Sequence, residues 1–253
     1  MSALDFSPAP GAAPAPRRVL SHALTETRLL VRNGEQLLLA LVIPVAILVI
    51  GRFVGGRFGQ IGTLAPSVLA LAVWSSSFTS VAIATGFERR YGVLERLAAT
   101  PLGRRGLLAG KATAVALIVT AQLVLLSLVA AALGWRPEFS VLSAAAALVA
   151  VLLAIATFCC LALILAGTLR AEATLALANL IYLAFVAGGA LVIPVTSYPA
   201  VLQPVLRLLP TAALGEMLRA GSLGQLPWWP IPVLAIWLLV SSLVVSRVFR
   251  WTS

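Results

Sequence analysis

The chain has 253 residues, 61% of them hydrophobic and 10% charged, with a mean hydropathy of +1.05. Soluble domains carry about 25% charged residues, and one of this size would leave much of this apolar surface in water. A water-soluble enzyme is therefore excluded, as is disorder over most of the chain. Eighteen Lys and Arg against eight Asp and Glu give a net charge of +10. Beside long apolar runs, that excess indicates basic loops flanking membrane spans and no nucleic-acid partner, for which no module is visible.

Residues 1–16 form a Pro/Ala-rich tail with neither the basic nor the apolar region of a signal peptide. The tail is expected to be disordered, with one membrane domain over 17–253. Residues 17–35 carry Val19, Leu20, Ala23, Leu24, Leu30 and Val31 roughly on one helical face, with Thr25, Glu26, Arg28 and Arg32 largely off it. That pattern predicts an interfacial helix. Six apolar segments follow, at about 37–53, 64–87, 107–133, 141–169, 174–194 and 228–249. Each is close to the length of about 20 residues that a helix needs to cross a bilayer. The predicted fold class is an all-α integral membrane protein with six transmembrane helices. The first run contains Pro44, which neighbouring membrane helices tolerate.

Two connections carry more information than the spans. Residues 88–106 are the most charged stretch in the chain, and Tyr91, Leu94, Leu97 and Ala98 recur there at helical spacing. A short amphipathic helix is predicted, then a break. Thr100 is read as the N-cap and Pro101 as the first residue of the next helix. Residues 195–226 contain Pro199, Pro204, Pro210, Gly215, Gly221 and Gly224 between apolar runs too short to span. A re-entrant or interfacial helix pair fits this stretch, because broken apolar helices at membrane depth must be buried in protein or line a cavity.

Lys and Arg placement sets the orientation. With both termini inside, thirteen of the 18 basic residues fall on the cytoplasmic side, from Arg17 and Arg18 through Arg89–Lys111 to Arg170, Arg247 and Arg250. Arg52, Arg57, Arg136, Arg207 and Arg219 fall on the other side. Trp135, Trp228, Trp229 and Trp251 stand at span ends, where such rings anchor at headgroups.

Most catalytic schemes lack their residues. The single histidine, His22, precedes the first span, so no intramembrane serine has a histidine base. No metal-ligand constellation appears. Cys159 and Cys160 are helix neighbours, a poor geometry for a disulfide, and are read as inert thiols. The string Ala109-Gly110-Lys111-Ala112-Thr113 fails the phosphate-loop pattern, with Arg105 and Ala112 where Gly and Ser/Thr are required. Energy from ATP must then come from another chain, and no cofactor is expected in this one. Ser75–Ser77, Thr79, Ser80 and Thr85 suit close helix packing, with Ser76 and Ser80 as candidates to line a substrate path. Glu216, near Arg219, is a further candidate polar spot for that path.

The run from Phe87 to Leu102, with Glu88, Arg89, Arg90, Tyr91, Gly92, Leu94, Glu95, Arg96, Thr100 and Pro101, then Arg104 and Gly110-Lys111, resembles the hallmark segment of type-2 ATP-binding-cassette (ABC) transporter permeases. Leu208-Leu209-Pro210-Thr211 through Glu216-Met217-Leu218-Arg219 is similar to that family's second, weaker motif, with Ala212-Ala213 in place of the more usual aromatic. The resemblance implies a permease domain whose cytoplasmic coupling helix docks on an ABC ATPase subunit through the ten residues named from Glu88 to Pro101. It also implies ATP and Mg held by that partner, a second permease copy as homodimer or heterodimer, and export of an amphiphilic drug, antibiotic or lipid. The location implied is a bacterial plasma membrane with both termini cytoplasmic. Two other readings fit the same composition: an ATPase-docked protein with a signalling or assembly role, and an ATP-independent channel or secondary transporter.

Overall fold

The computed structural model describes residues 11–32, 34–54 and 60–249, and all regular structure among them is helical. Residues 1–10 of the expected tail lie outside the described residues, as do Arg57, Arg250 and Trp251. In chain order the helices are α1 (Ala15–Arg32), α2 (Gly34–Val54), α3 (Ile61–Trp74), α4 (Ser80–Arg90), α5 (Val93–Ala98) and α6 (Gly103–Ala132). They continue as α7 (Val141–Thr168), α8 (Ala171–Gly188), α9 (Gln203–Leu206), α10 (Pro210–Gly221) and α11 (Pro230–Val248). A π-helical turn, Ser75–Thr79, joins α3 to α4 without a break.

Among the described residues, five rods are long and apolar enough to cross a membrane: Ile61–Arg90, Gly106–Ala132, Val141–Thr168, Ala171–Gly188 and Pro230–Val248. The run expected at 37–53 lies on α2, which is 21 residues long; the stretch Leu41–Val54 is apolar but shorter than the five.

Helix α7 is the hub. Ala146, Ala150, Ala154, Ala162 and Ala166 recur at multiples of four residues and are all buried. Such a stripe lets neighbouring backbones approach closely, which drives helix association where lipid tails remove the hydrophobic contrast. α11 packs along it, and α4 and α10 close its other sides. Where α4 meets α8, a Cβ on Gly86 would sit 3.3 Å from Thr174 Cγ2. The start of α7 is fixed locally: Ser140 Oγ accepts from the Ser143 N–H at 3.1 Å and Ser143 Oγ from the Ser140 N–H at 3.0 Å, a reciprocal cap.

Hydrogen bonds sort the connections into two ends. At one, Arg18 donates to Pro101 O and Arg89 to Leu169 O. At the other, Arg52 Nε donates to Leu133 O at 3.3 Å and the Glu138 N–H to Ser222 O at 2.8 Å. The first end gathers most of the basic residues, as their placement in the sequence predicts.

Three local expectations are corrected. α6 begins at Gly103 with Leu102 at its N-cap and no side-chain cap, so Thr100 and Pro101 precede the helix. The Thr100 hydroxyl instead donates to Leu97 O at 2.6 Å, closing the end of α5. Trp135 is 6% exposed and packs edge-on against Phe139. Gly134, at φ 98, reverses the chain at the end of α6 so that the Trp135 N–H reaches Ala130 O at 2.9 Å, and the indole is buried in the protein. Trp228, by contrast, is exposed.

The third correction concerns the end of α8, at the same end of the bundle as Trp135. The fifth span stops at Gly188 rather than 194. Ala190, at φ 51, takes the chain out of helical geometry, and residues 189–193 run as bends into a 3-10 turn, Val195–Ser197. The expected helix pair is unequal: α9 has four residues, whereas α10 has twelve, starts at Pro210 and is almost wholly buried against α3, α7 and α11.

Candidate functional site

The charged connection after α4 is built as a short helix set at a bend. α4 ends at Arg90, Gly92 takes a left-handed φ of 67, and α5 follows at once. Glycine accepts that backbone without strain. Leu94 is fully buried and seats α5 on α4 and α6. Arg96 folds back, donating from Nη2 to Tyr91 O at 2.8 Å and from Nε to Gly92 O at 3.2 Å. The first bond satisfies the carbonyl of Tyr91, the C-cap of α4, and the second joins the Arg96 N–H on Gly92 O.

The ten residues of the segment therefore divide. Tyr91, Glu95, Arg96 and Thr100 face outward, with Tyr91 63% exposed and stacked on Phe87 at 6.3 Å. Arg90 is half out and pairs with Glu172 at the start of α8. Arg89 is buried and bonds the end of α7. Leu94 and Glu88 face the protein, and Pro101 O is taken by Arg18 of α1. The outward face is thus an aromatic ring flanked by an acid and a base; inward, α5 packs on α4 and α6, and the flanking Arg89, Arg90 and Pro101 tie the segment to α7, α8 and α1.

Beneath the bend lies a charge cluster that three separate elements supply. Lys111 Nζ of α6 lies 2.8 Å from Glu88 Oε1 of α4 and 3.5 Å from Glu26 Oε2 of α1, with the lysine side chain 8% exposed. His22 Nε2 lies 3.7 Å from Glu26 Oε1. The close approach of α1 to α6 depends on Gly110, where a Cβ would fall 2.5 Å from His22 Cδ2. The sequence reading treats Lys111 as an anchor and Glu88 as a partner contact; the structure pairs them. Only local spacing is visible in a sequence, and 85 residues separate Glu26 from Lys111. The available signal was three ionisable groups at the margins of apolar segments, where a buried charge requires a partner.

Burial holds the His22 imidazole below the usual 6.5, and Lys111 works in the same direction against the opposing pull of Glu26. The unfolded chain therefore takes up a proton near pH 6.5 that the folded chain resists. Stability conferred by the α1–α6 seat is complete above that pH and falls as the pH drops below it. Thermal unfolding in detergent should show a lower midpoint at mildly acid pH, and His22→Gln should remove that slope.

The proposed path residues do not converge. Ser76 is buried in the π-turn and donates to Gln122 Oε1 at 2.7 Å. Ser80 is half-buried one turn on. Glu216 lies at the opposite end, accepting from the Val195 N–H at 2.9 Å and from Arg219 Nη2 at 3.0 Å. The π-turn had no clear signal in the sequence. It places Trp74 flat on Phe78 at 4.4 Å and edge-on to Phe158 at 4.8 Å.

Arg219 is the other residue whose importance was understated. Its Nη1 donates to Ser67 Oγ at 3.0 Å and Leu191 O at 2.8 Å, and its Nη2 to Ala190 O at 3.0 Å. With Thr211 Oγ1 donating to Gly189 O at 2.8 Å, α10 holds the bends after α8 in place.

The bundle and its charged bend define a multi-pass membrane protein of the ABC permease class. The chain matches the ABC-2 family transporter protein over residues 37–249 and belongs to that family. Comparison with curated proteins finds no match.

Proposed function

We propose that the chain is the membrane subunit of an ATP-driven exporter. Six spans, α2 with the five rods, form one half of a translocation unit that a second permease copy completes. A separate ABC ATPase binds ATP and Mg and docks on the bend at α5. Nucleotide-driven closure shifts the population between inward- and outward-open states, moving an amphiphilic drug, antibiotic or lipid outward across a bacterial plasma membrane, with both chain ends cytoplasmic. Ser76 and Glu216 already have hydrogen-bond partners in the fold, which favours a structural part for both over substrate contact.

The observation that carries this reading is the division of the segment from Glu88 to Pro101. Tyr91, Glu95 and Arg96 stand outward on a segment whose α5 packs on α4 and α6 and whose flanking Arg89, Arg90 and Pro101 tie it to α7, α8 and α1. A force applied to that face passes directly into the spans. Aromatic and charged side chains on a rigid support are the usual anchors of a docking surface. Glu95→Arg should reduce ATP-dependent accumulation of an amphiphilic dye in inverted membrane vesicles by about tenfold or more, since a like charge across an interface costs several kcal/mol. Folding should change by no more than about 0.5 kcal/mol, because the site is exposed. Normal accumulation with Glu95→Arg, and again with Arg96→Glu, would remove the docking assignment.

A further inference from the structure

A cavity of about 510 Å³ lies between α1 and the end of the coupling segment, lined among others by Arg17, Arg18, Ser21, His22, Thr25 and Thr100. Among the described residues that line it there is no acid. Arg18 Nε is buried there without a hydrogen-bond partner in the chain, while His22 Nε2 faces Glu26 Oε1 at 3.7 Å behind the lining. Around α1, at about 100° per residue, the cavity-facing Arg17 and Ser21 follow directly on Leu20 and Leu24. These leucines are 53% and 45% exposed. An apolar stripe thus borders a basic, hydroxyl-rich cavity at the end of the bundle that gathers most of the positive charge.

We infer that this cavity binds the phosphate headgroup of an anionic membrane lipid, with the acyl chains lying along Leu20 and Leu24. The two guanidinium groups supply charged donors that a phosphate diester accepts, the hydroxyl of Ser21 adds a neutral donor, and the leucines continue into the hydrocarbon. Basic pockets between helices at the cytoplasmic face take such headgroups. A bound lipid would fill the space between α1 and residues 100–102 and so stiffen the support of α5. The inference requires only that the chain sits in a membrane, so it stands or falls separately from the ATPase reading.

The test is native mass spectrometry of the full chain released from detergent with either palmitoyl-oleoyl phosphatidylglycerol or the matching phosphatidylcholine. Wild type should retain the glycerol lipid selectively. Arg17→Gln, at an exposed side chain, should weaken retention about fivefold, the effect of one basic residue at an anionic surface. Ser21→Asp should weaken it roughly tenfold by placing a carboxylate against the phosphate. Ser21→Asn, Arg28→Gln and Arg136→Gln at the opposite end should retain it, and a shared thermal midpoint excludes misfolding. Four results would each overturn the assignment: equal retention of both lipids, wild-type retention by both cavity variants, an equal loss in Arg28→Gln, or displacement of the lipid by inorganic phosphate alone.

Discussion

Replacing Lys111 by methionine should destabilise the folded chain by about 3–5 kcal/mol, the range for removing one partner of a buried ion pair. The ammonium sits between Glu88 at 2.8 Å and Glu26 at 3.5 Å. Without it, two largely buried carboxylates face each other across α1, α4 and α6, and each must be protonated or swing outward. The thermal midpoint in detergent should fall sharply. Adding Glu88→Gln to Lys111→Met should restore a substantial part of the loss, because the orphaned carboxylate is then gone. A Lys111→Met variant that unfolds with wild type, or one that Glu88→Gln makes worse, would show that the cluster does not tie the three helices together. The same variant should also lower ATP-dependent flux, because Glu88 stands three residues before Tyr91 and positions the bend.

Arg219→Leu should have an effect of comparable size at the opposite end. The guanidinium is 7% exposed and serves four acceptors. Its loss leaves Ala190 O and Leu191 O without this donor and Glu216 with only the Val195 N–H, and each unsatisfied buried group costs about 1–3 kcal/mol. Limited proteolysis should then cut within residues 189–198 much faster than in wild type. Arg219→Lys should recover less than half of the loss, since an ammonium lacks the planar fork that spans both carbonyls and the carboxylate. Full recovery by lysine would mean that charge alone, rather than the fork, holds the segment.

The apolar runs were legible because a membrane span is a long local signal. Predicted segments and observed helices differ by a few residues at most ends, as for 141–169 against Val141–Thr168 and 228–249 against Pro230–Val248. The exception, the early stop of α8, depends on Arg219, which is remote in sequence from the bends it clamps. The charged segment from Glu88 to Pro101 was legible as a bend and a short helix, since Gly92 and the spacing of Leu94 and Leu97 are local features. Which of its side chains face outward was not. The inward turn of Glu88 and Arg89 is set by Lys111 on α6 and by the end of α7, neither of which helical periodicity can locate. Thr100-Pro101 misled for the opposite reason: it has the composition of a helix start, but Arg18 and the closing turn of α5 take its groups first.

The central claim, that an ABC ATPase seats on the outward face of α5, is tested most directly by purifying the chain from its native membranes in mild detergent. The account predicts a stoichiometric ATP-binding subunit in the purified material and its loss when Glu95 is replaced by Arg. A folded chain that purifies with no such subunit, or one that keeps it undiminished through charge reversal at both Glu95 and Arg96, would contradict that claim.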